Sequence, residues 1–559
     1  MSLVIAFLLT TFSLTGEILL EAEDAILKGV EIASSREGYS GTGYVTGFDE
    51  ASDTLRFEFE AEAGLYSIRL GYAQSSRIRQ YEVIIDGRLF SFSITGSGSS
   101  FAERALIEHY FSGGTHTIEF PRGSSSPFDV DYLKLVPVTY EPPVVPNYQL
   151  SDPQATPSAR KLFQMLKELY GKAILSGQQE LHEVEYIREI TGKEPAIAGG
   201  DLIEYSPSRI EHGSNPENSS NYASVTDLIE WAGTDGIIAL MWHWNAPTDL
   251  LNTQAQPWWR GFYTTATTFN FAEALSDTTS ERYHLLLRDI DAIAVQLKKF
   301  QDADIPLLWR PLHEAAGGWF WWGARGPEPF VQLWRLMYDR IVNVHGIHNL
   351  IWVYTHEPGA FDWYPGDEYV DIVGRDVYAN DPAATMLSDW NELKDYYGDR
   401  RMIALTETGT LPDPAVITSY GIWWSWFSPW TGSFIRDIDP VYIRQVYERD
   451  VVITRDELPD WRAIELSTED EIPESELVAT IHPNPTSGPA TLRLSVPYPT
   501  KVDVEVFDLL GRRVHAVPVG YQPAGTLETT ITPGPVAGVY LVRIRVGEQV
   551  VHRTVVYIP

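Results

Sequence analysis

Hydrophobic and polar positions change rhythm three times along the 559 residues. Between residues 17 and 138 they alternate singly, as in Leu55-Arg-Phe-Glu-Phe-Glu60, Tyr66-Ser-Ile-Arg-Leu70, Tyr81-Glu-Val-Ile-Ile85 and His116-Thr-Ile-Glu-Phe120, with Gly, Ser and Asp turns between the runs. A period of two marks half-buried strands, and no run here has the helical period, so this segment is predicted to be a β-sandwich of the jelly-roll kind. From Pro137 to Pro157 the chain holds six prolines in twenty-one residues. That is too many for a sheet, and residues 139–157 read as a semi-rigid linker.

Beyond the linker, helical spacing near 158–170, 183–192, 283–300 and 328–344 alternates with short, nearly continuous apolar runs. The runs are Ala173–Gly177, Pro195–Gly199, Gly236–His243, Ile305–Glu314, Leu350–Tyr354, Val370–Gly374, Met402–Glu407 and Gly421–Phe427, eight in all. Apolar runs alternating with helices predict a (β/α)8 barrel over 158–464, with functional residues at the C-terminal ends of the strands. Residues 465–476 carry six acids and no base and read as an acidic linker. Residues 477–559 alternate again, with seven bases against five acids, and predict a second, immunoglobulin-like β-sandwich. The chain is thus expected to be multidomain, a central barrel flanked by two β-sandwiches.

The first sixteen residues, MSLVIAFLLTTFSLTG, form an apolar run followed by small residues, as in a secretory signal peptide. The usual basic start is missing, which leaves a truncated start or a buried strand as alternatives. No other stretch reaches the ~20 apolar residues of a membrane span, so no transmembrane segment is expected in the mature chain.

Composition sharpens this picture in three ways. A net charge of −34 excludes nucleic acid and anionic membranes as partners, because a phosphate-binding surface needs clustered Lys and Arg. With no cysteine, disulfides, thiolate metal sites and Cys nucleophiles are excluded. All eighteen tryptophans lie between Trp231 and Trp461, which separates a middle domain built to hold something flat from two flanks built only to fold.

The candidate chemistry lies at the predicted strand ends. Leu308-Trp-Arg310-Pro-Leu-His313-Glu314 and Met402-Ile-Ala-Leu-Thr-Glu407 each close an apolar strand on a carboxylate. Other strands end in Trp242-His243-Trp244-Asn245 and Arg375-Asp376-Val-Tyr378, and the last in a Trp-rich run. Two glutamates at barrel-strand termini are what retaining glycoside hydrolysis requires, one to protonate the leaving oxygen and one to attack the anomeric carbon. Glu314, flanked by Trp309, His313 and Trp319, is the candidate for a raised pKa and so for the acid. Tyr378 and Arg310 are placed to hold Glu407 as an anion. A His-Glu metal motif is not expected, because Gly317 stands where an HExxH helix has its second His. No cofactor is expected for catalysis.

These motifs carry a resemblance. Trp309-Arg-Pro-Leu-His313-Glu314 with Trp319 five residues on, Asp376-Val-Tyr378, Leu405-Thr-Glu407-Thr-Gly409 and Trp242-His243 resemble glycoside hydrolase family 26, chiefly endo-β-1,4-mannanases, over roughly residues 150–460. The resemblance implies Glu314 as general acid/base and Glu407 as nucleophile. It puts His243 and His313 on the sugar being cleaved, has Tyr378 orient the nucleophile, and has Trp319 stack on the leaving side. Arg310 and Asp376 join the substrate-binding set. Along the last strand, alternation puts Trp424, Trp426 and Trp430 on one face, with Trp430 as the expected sugar platform and Trp426 second. Trp258, in the loop Gln256–Arg260, is placed where further subsites lie.

The flanks resemble known modules too. Glu21-Ala-Glu23-Asp24, Gly38-Tyr39-Ser-Gly41-Thr-Gly43-Tyr44 and Phe128-Asp-Val-Asp131 resemble carbohydrate-binding modules of families 6 and 35, which implies a structural calcium held by Glu21, Glu23 and Asp131. Such modules often grip sugar with Trp. This one has none, so Tyr39 and Tyr44 would stack instead. His482-Pro-Asn-Pro-Thr-Ser-Gly488, Val506-Phe-Asp-Leu-Leu-Gly-Arg-Arg-Val514 and Gly538-Val-Tyr-Leu-Val-Arg-Ile544 resemble the C-terminal sorting domain of type IX secretion. That implies a Gram-negative protein, secreted or attached to the cell surface, which meets the type IX machinery.

The expected partner is a β-mannan-type polysaccharide, and the chain is expected to act as a monomer. Two alternatives stay open: the same chemistry on mixed-linkage β-glucan or β-1,3-xylan, and a non-catalytic surface protein that only binds glycan.

Overall fold

The computed structural model describes residues 16–74, 79–98, 100–121, 128–233, 235–379, 384–466, 479–496, 500–522, 525–547 and 549–559. Nearly all of the expected signal peptide and most of the acidic linker lie outside them. Two compact units form, one around the N-terminal sandwich and one around the barrel.

Eight parallel strands build the barrel: β1 (Ile174–Gln179), β2 (Ile197–Asp201), β3 (Ile237–Trp242), β4 (Leu307–Pro311), β5 (Leu350–Thr355), β6 (Ile372–Val377), β7 (Met402–Thr408) and β8 (Trp426–Pro429). Each pairs with the next, and β8 and β2 both pair with β1, which closes the ring. Strands covered by helices outside and side chains inside are buried on both faces, which is why they read as continuous apolar runs.

The helices follow their apolar spacing. In Glu281–Asp302, Leu286, Ile290, Ile293, Leu297 and Phe300 recur every three or four residues and are buried, while the Ser280 side chain caps the start by accepting from the Tyr283 amide at 3.1 Å. The expected helices near 158–170, 183–192 and 328–344 are Pro157–Leu169, Leu181–Thr191 and Pro327–Asp339, the last continuing as a π turn through Val344. Val225–Ala232, Leu387–Tyr397 and Pro440–Tyr447 are further helices that the sequence reading did not identify.

One strand lies differently. The run Gly421–Phe427 was expected as the eighth strand, whereas β8 spans Trp426–Pro429. Ser425 is the one polar side chain in the run, too little alternation to set the register. Pairing does, with Leu175 opposite Trp426 and Ser176 opposite Phe427. The linker also differs, because its second half is docked on the N-terminal end of the barrel. Tyr148 donates to the Asp371 carbonyl at 2.6 Å, Asp152 pairs with His348 at 2.8 Å, and Leu150 and Ala155 are buried.

The N-terminal module is a two-sheet sandwich. Its six-stranded sheet runs in the order Glu31–Ala33, Tyr44–Thr46, Asp129–Pro137, Gly64–Ala73, Ala102–Phe111, with Ile18–Glu21 also paired to Asp129–Pro137. Thr54–Ala61, Gly114–Pro121, Arg79–Ile85 and Arg88–Ile94 belong to the second, five-stranded sheet. Alternate residues of both sheets, including Leu55, Phe57, Ile68, Leu70, Ile118 and Phe120, meet in one core. The C-terminal module is β-rich with its own core around Leu492, Leu494, Val504, Val506, Val542 and Ile544. No helix among the described residues is long and apolar enough to cross a membrane.

Candidate active site

Three carboxylates converge at the C-terminal ends of β4, β6 and β7. Glu314, Asp376 and Glu407 each bring an oxygen within 4.8 Å of the other two. Arg310, near the end of β4, stands among them with 4% of its surface exposed. Its Nη1 donates to Asp376 Oδ2 at 2.8 Å and to Thr355 Oγ1 at 3.1 Å, and its Nη2 donates to Glu407 Oε1. Tyr378 donates its hydroxyl to the other oxygen of Glu407 at 2.7 Å. Thr406 on β7 donates to Asp376 Oδ1 at 2.6 Å, so both strong-field partners of Arg310 are fixed from two sides.

Glu314 differs in three respects. It follows β4 in a left-handed turn, with φ of +54° at Glu314 and +50° at Leu312, conformations that non-glycine residues rarely adopt without a local reason. Its Oε2 accepts from Trp319 Nε1 at 2.9 Å, and no cation pairs with it among the described residues. Burial, and then the negative charges of Asp376 and Glu407, push its carboxyl up to about 9. Burial also raises Glu407, but Arg310 and the Tyr378 hydroxyl pull the other way. Of the two, Glu314 is the carboxyl that no directly bonded cation, among the described residues, steadies in its charged form.

The remaining expected site residues divide into groups. His243 follows β3 and is 9% exposed; its Nδ1 lies 2.6 Å from Asp201 Oδ2 and its ring packs against Phe262, Phe320 and Trp430. Trp319 and Tyr378 are exposed at 44% and 42% and border the carboxylates. Trp430, just past β8, is partly exposed beside His243.

Four residues expected on sugar are not open to it. Arg310 and the Asp376 carboxylate are consumed in the ion pair and are buried. His313 is buried behind His243, Phe320 and Trp322, because the left-handed turn aims Glu314 outward and its neighbour inward. Trp426 lines the closed interior of the barrel with Gln179, Met241, Arg310 and Thr406. Its strand position faces inward one level below the mouth, whereas Trp430 lies beyond the strand end. Trp258 stands apart, stacked on His212 at 5.3 Å with the Arg209 guanidinium 5.4 Å from its ring.

Asp201, Thr406, Phe262 and Phe320 were not singled out from the sequence. For Asp201 the signal was present: Ile197-Ala-Gly-Gly-Asp201 is an apolar strand closing on an acid, the same pattern that marked Glu314 and Glu407. The expected strand stopped two residues short.

In the N-terminal module, Glu21, Glu23 and Asp131 gather around the loop Ser40–Gly43. Ser40 Oγ donates to Glu21 at 2.6 Å, the Ser40 amide to Asp131 at 2.9 Å, and the Gly43 amide to Glu23 at 3.1 Å. Glu23 Oε2 is buried without a hydrogen-bond partner, and burial, followed by the charges of Glu21 and Glu23, outweighs the Ser40 hydrogen bonds and raises Asp131. Hard oxygens with an unsatisfied carboxylate fit a calcium ion, although the three do not close to within 4.8 Å as the barrel trio does. Tyr44, expected to stack on sugar, is 4% exposed and shares a hydrogen bond with Ser35.

Comparison with known proteins agrees with this architecture. Residues 151–457 match Glycosyl hydrolase family 26, 18–138 match Carbohydrate binding module (family 35), and 480–557 match the Secretion system C-terminal sorting domain. A mannan endo-1,4-beta-mannosidase of Thermothelomyces thermophilus is 45% identical over 79% of this chain and 90% of its own length. The crystal structure of a GH26-CBM35 beta-(1,4)-mannanase from Podospora anserina superposes with a TM-score of 0.73 at 41% identity, covering 80% of this chain and all of that one. A ruminal GH26 endo-beta-1,4-mannanase superposes at 0.55 with 27% identity, covering 79% of this chain and 98% of that one. The sorting-domain match makes the protein one that type IX secretion exports, either released or held at the cell surface. From barrel, carboxylates and relatives together, the chain belongs to glycosyl hydrolase family 26.

Proposed function

We propose that this chain cleaves β-1,4-mannosidic bonds inside mannan, glucomannan or galactomannan with net retention of configuration. The observation that carries the reading is the pairing of Glu314 and Glu407, with oxygens within 4.8 Å of each other and unlike surroundings. Retaining enzymes hold their carboxyls roughly 5–5.5 Å apart, close enough for direct attack on a sugar carbon between them. Glu314, protonated at neutral pH, donates to the glycosidic oxygen as that bond breaks. Glu407, whose charge Arg310 and Tyr378 stabilise, attacks the anomeric carbon to give a glycosyl ester. Glu314, now ionised, takes a proton from water, and the hydroxide attacks the same carbon and releases Glu407. Trp319 and Trp430 offer indole faces to the apolar faces of mannose rings on either side of the break. Trp258 fits a more distant subsite.

The relatives named above are described as mannanases, which favours mannan over mixed-linkage β-glucan or β-1,3-xylan. Reducing-sugar assays on the three polymers side by side test that choice. For the mechanism, Glu407→Ala is expected to lose at least about 10⁴-fold in kcat on mannan and Glu314→Gln about 10³-fold. Near-normal turnover in either variant overturns the assignment, and binding without any new reducing ends in the parent protein favours the purely glycan-binding alternative. In the N-terminal module, Glu21, Glu23 and Asp131 would hold a calcium ion that ties the first and last strands to the Ser40–Gly43 loop.

A further inference from the structure

The turn that aims Glu314 is strained on both sides of His313, since Leu312 and Glu314 both have positive φ. Two hydrogen bonds hold His313 in place. Trp322 Nε1 donates to its carbonyl at 2.9 Å, and its ring Nε2 lies 3.1 Å from His243 Nε2. Two facing Nε2 atoms make a hydrogen bond only if one carries the proton and the other a lone pair.

Asp201 decides which. Its Oδ1 accepts from the amides of Ile203 at 2.9 Å and His243 at 3.0 Å, and its Oδ2 faces His243 Nδ1 at 2.6 Å. A carboxylate only accepts, so the proton of neutral His243 lies on Nδ1 and its Nε2 offers a lone pair. His313 must then donate from Nε2, which leaves its Nδ1 unprotonated. That atom is buried with no partner, a position where a bare lone pair is better tolerated than a stranded N–H.

We infer that Asp201 is a positioning residue for the acid/base. It fixes the direction of the His243–His313 hydrogen bond and, through it, the strained turn that points Glu314 at the glycosidic oxygen. The inference rests on the proposed role of Glu314 and extends it to a residue 113 positions away in the chain, whose hydrogen bonds run to Ile203 and His243.

Asp201→Asn tests this sharply because it keeps shape while reversing the proton order. Two backbone amides point at the Oδ1 position, so the asparagine must place its oxygen there and turn its NH2 toward His243 Nδ1. That nitrogen becomes the acceptor, the proton moves to Nε2, and His313 can answer only by burying an unpaired N–H at Nδ1. Asp201→Ala imposes no tautomer, although it leaves both amides and a cavity unsatisfied.

The full chain and the variants Asp201→Asn, Asp201→Ala and Glu314→Gln are compared on mannan and on a 2,4-dinitrophenyl β-mannobioside, whose leaving group departs without a proton. Asp201→Asn is expected to lose at least about 30-fold in kcat on mannan with KM within about twofold, and to keep kcat/KM on the aryl substrate within about threefold. Asp201→Ala is expected to be more active on mannan than Asp201→Asn despite a lower Tm, an inversion that a merely structural carboxylate does not produce. Equal losses on both substrates, or Asp201→Ala less active than Asp201→Asn, overturn the inference. If Asp201→Asn does not fold, the mannan-to-aryl split in Asp201→Ala decides the matter. Glu314→Gln separates the two levels: if it lacks the split, the acid/base reading itself fails, whereas its presence there and absence in the Asp201 variants refutes only the positioning role.

Discussion

The chain holds two trios of acids, Glu314, Asp376 and Glu407 in the barrel and Glu21, Glu23 and Asp131 in the N-terminal module, and they differ in what neutralises them. In the barrel one buried guanidinium bonds to two carboxylates, and the third, which has no such partner, is pushed up to about 9. In the N-terminal module, among the described residues, no Lys, Arg or His pairs with any of the three acids, and the loop Ser40–Gly43 supplies hydrogen-bond donors but no positive charge. On the reading proposed above, the same residue type serves acid–base chemistry where a cation is built in and would hold a metal cation where it is left out.

Removing the built-in cation should have the largest effect. Arg310→Met leaves Asp376 and Glu407 buried and unpaired, at a cost of about 3–5 kcal/mol. Glu407 is then expected to protonate together with Glu314, so kcat on mannan falls by more than about 10³-fold. Thermal unfolding and turnover measure the two effects. Activity within tenfold of the parent would show that Arg310 does not govern the trio.

Next in size is the stability effect of the acid itself. Burial, then the charges of Asp376 and Glu407, raise the folded pKa of Glu314 to about 9 from the ordinary 4.5. A raised folded pKa gives stability that is fully present below the unfolded value and is lost as pH climbs toward the folded one. Glu314→Gln removes that dependence. It should match the parent near pH 4 and exceed it by about 2–4 kcal/mol near pH 8, after allowance for the partial exposure of the side chain. Parallel stability curves across that range would place the proton elsewhere.

The barrel trio was legible in the sequence because each acid ends or follows an apolar strand, and strand ends are where a barrel collects chemistry. What was not legible is which neighbours face the cleft. Arg310, His313 and Glu314 lie within five residues, yet one points into the ion pair, one into the core and one outward. Two positive-φ residues make that sorting, and backbone handedness leaves no periodic trace in side-chain type. The inward turn of Trp426 was hidden for a related reason, since a run with Ser425 as its one polar side chain gives alternation too little to work with. Asp201 was missed because the expected strand, Pro195–Gly199, ends at the first of the two glycines that precede it.

For the N-terminal trio, adding calcium is the counterpart of removing Arg310. Calcium at about 100 times its Kd should stabilise the module by about 2.7 kcal/mol, seen as a chelator-sensitive thermal transition, and Glu23→Gln should abolish that sensitivity. Turnover of the barrel on a soluble oligosaccharide at 25 °C should not change on chelation. A calcium response that survives Glu23→Gln would locate the ion elsewhere, and no response at all would mean that hydrogen bonds alone satisfy the trio.

The smallest effect sharpens the barrel side of the contrast. Trp319 Nε1 is the one hydrogen-bond donor recorded on Glu314 among the described residues, and it favours the ionised carboxylate against burial and the two neighbouring charges. Trp319→Phe keeps an aromatic face for the sugar and removes the donor. The Glu314 carboxyl should therefore rise further, moving the alkaline limb of kcat/KM upward by a few tenths of a pH unit, about 0.5 kcal/mol. The sign is the informative part. A limb that moves down would mean that the indole acts by excluding water, and that its loss lets solvent stabilise the charged form more than the hydrogen bond did.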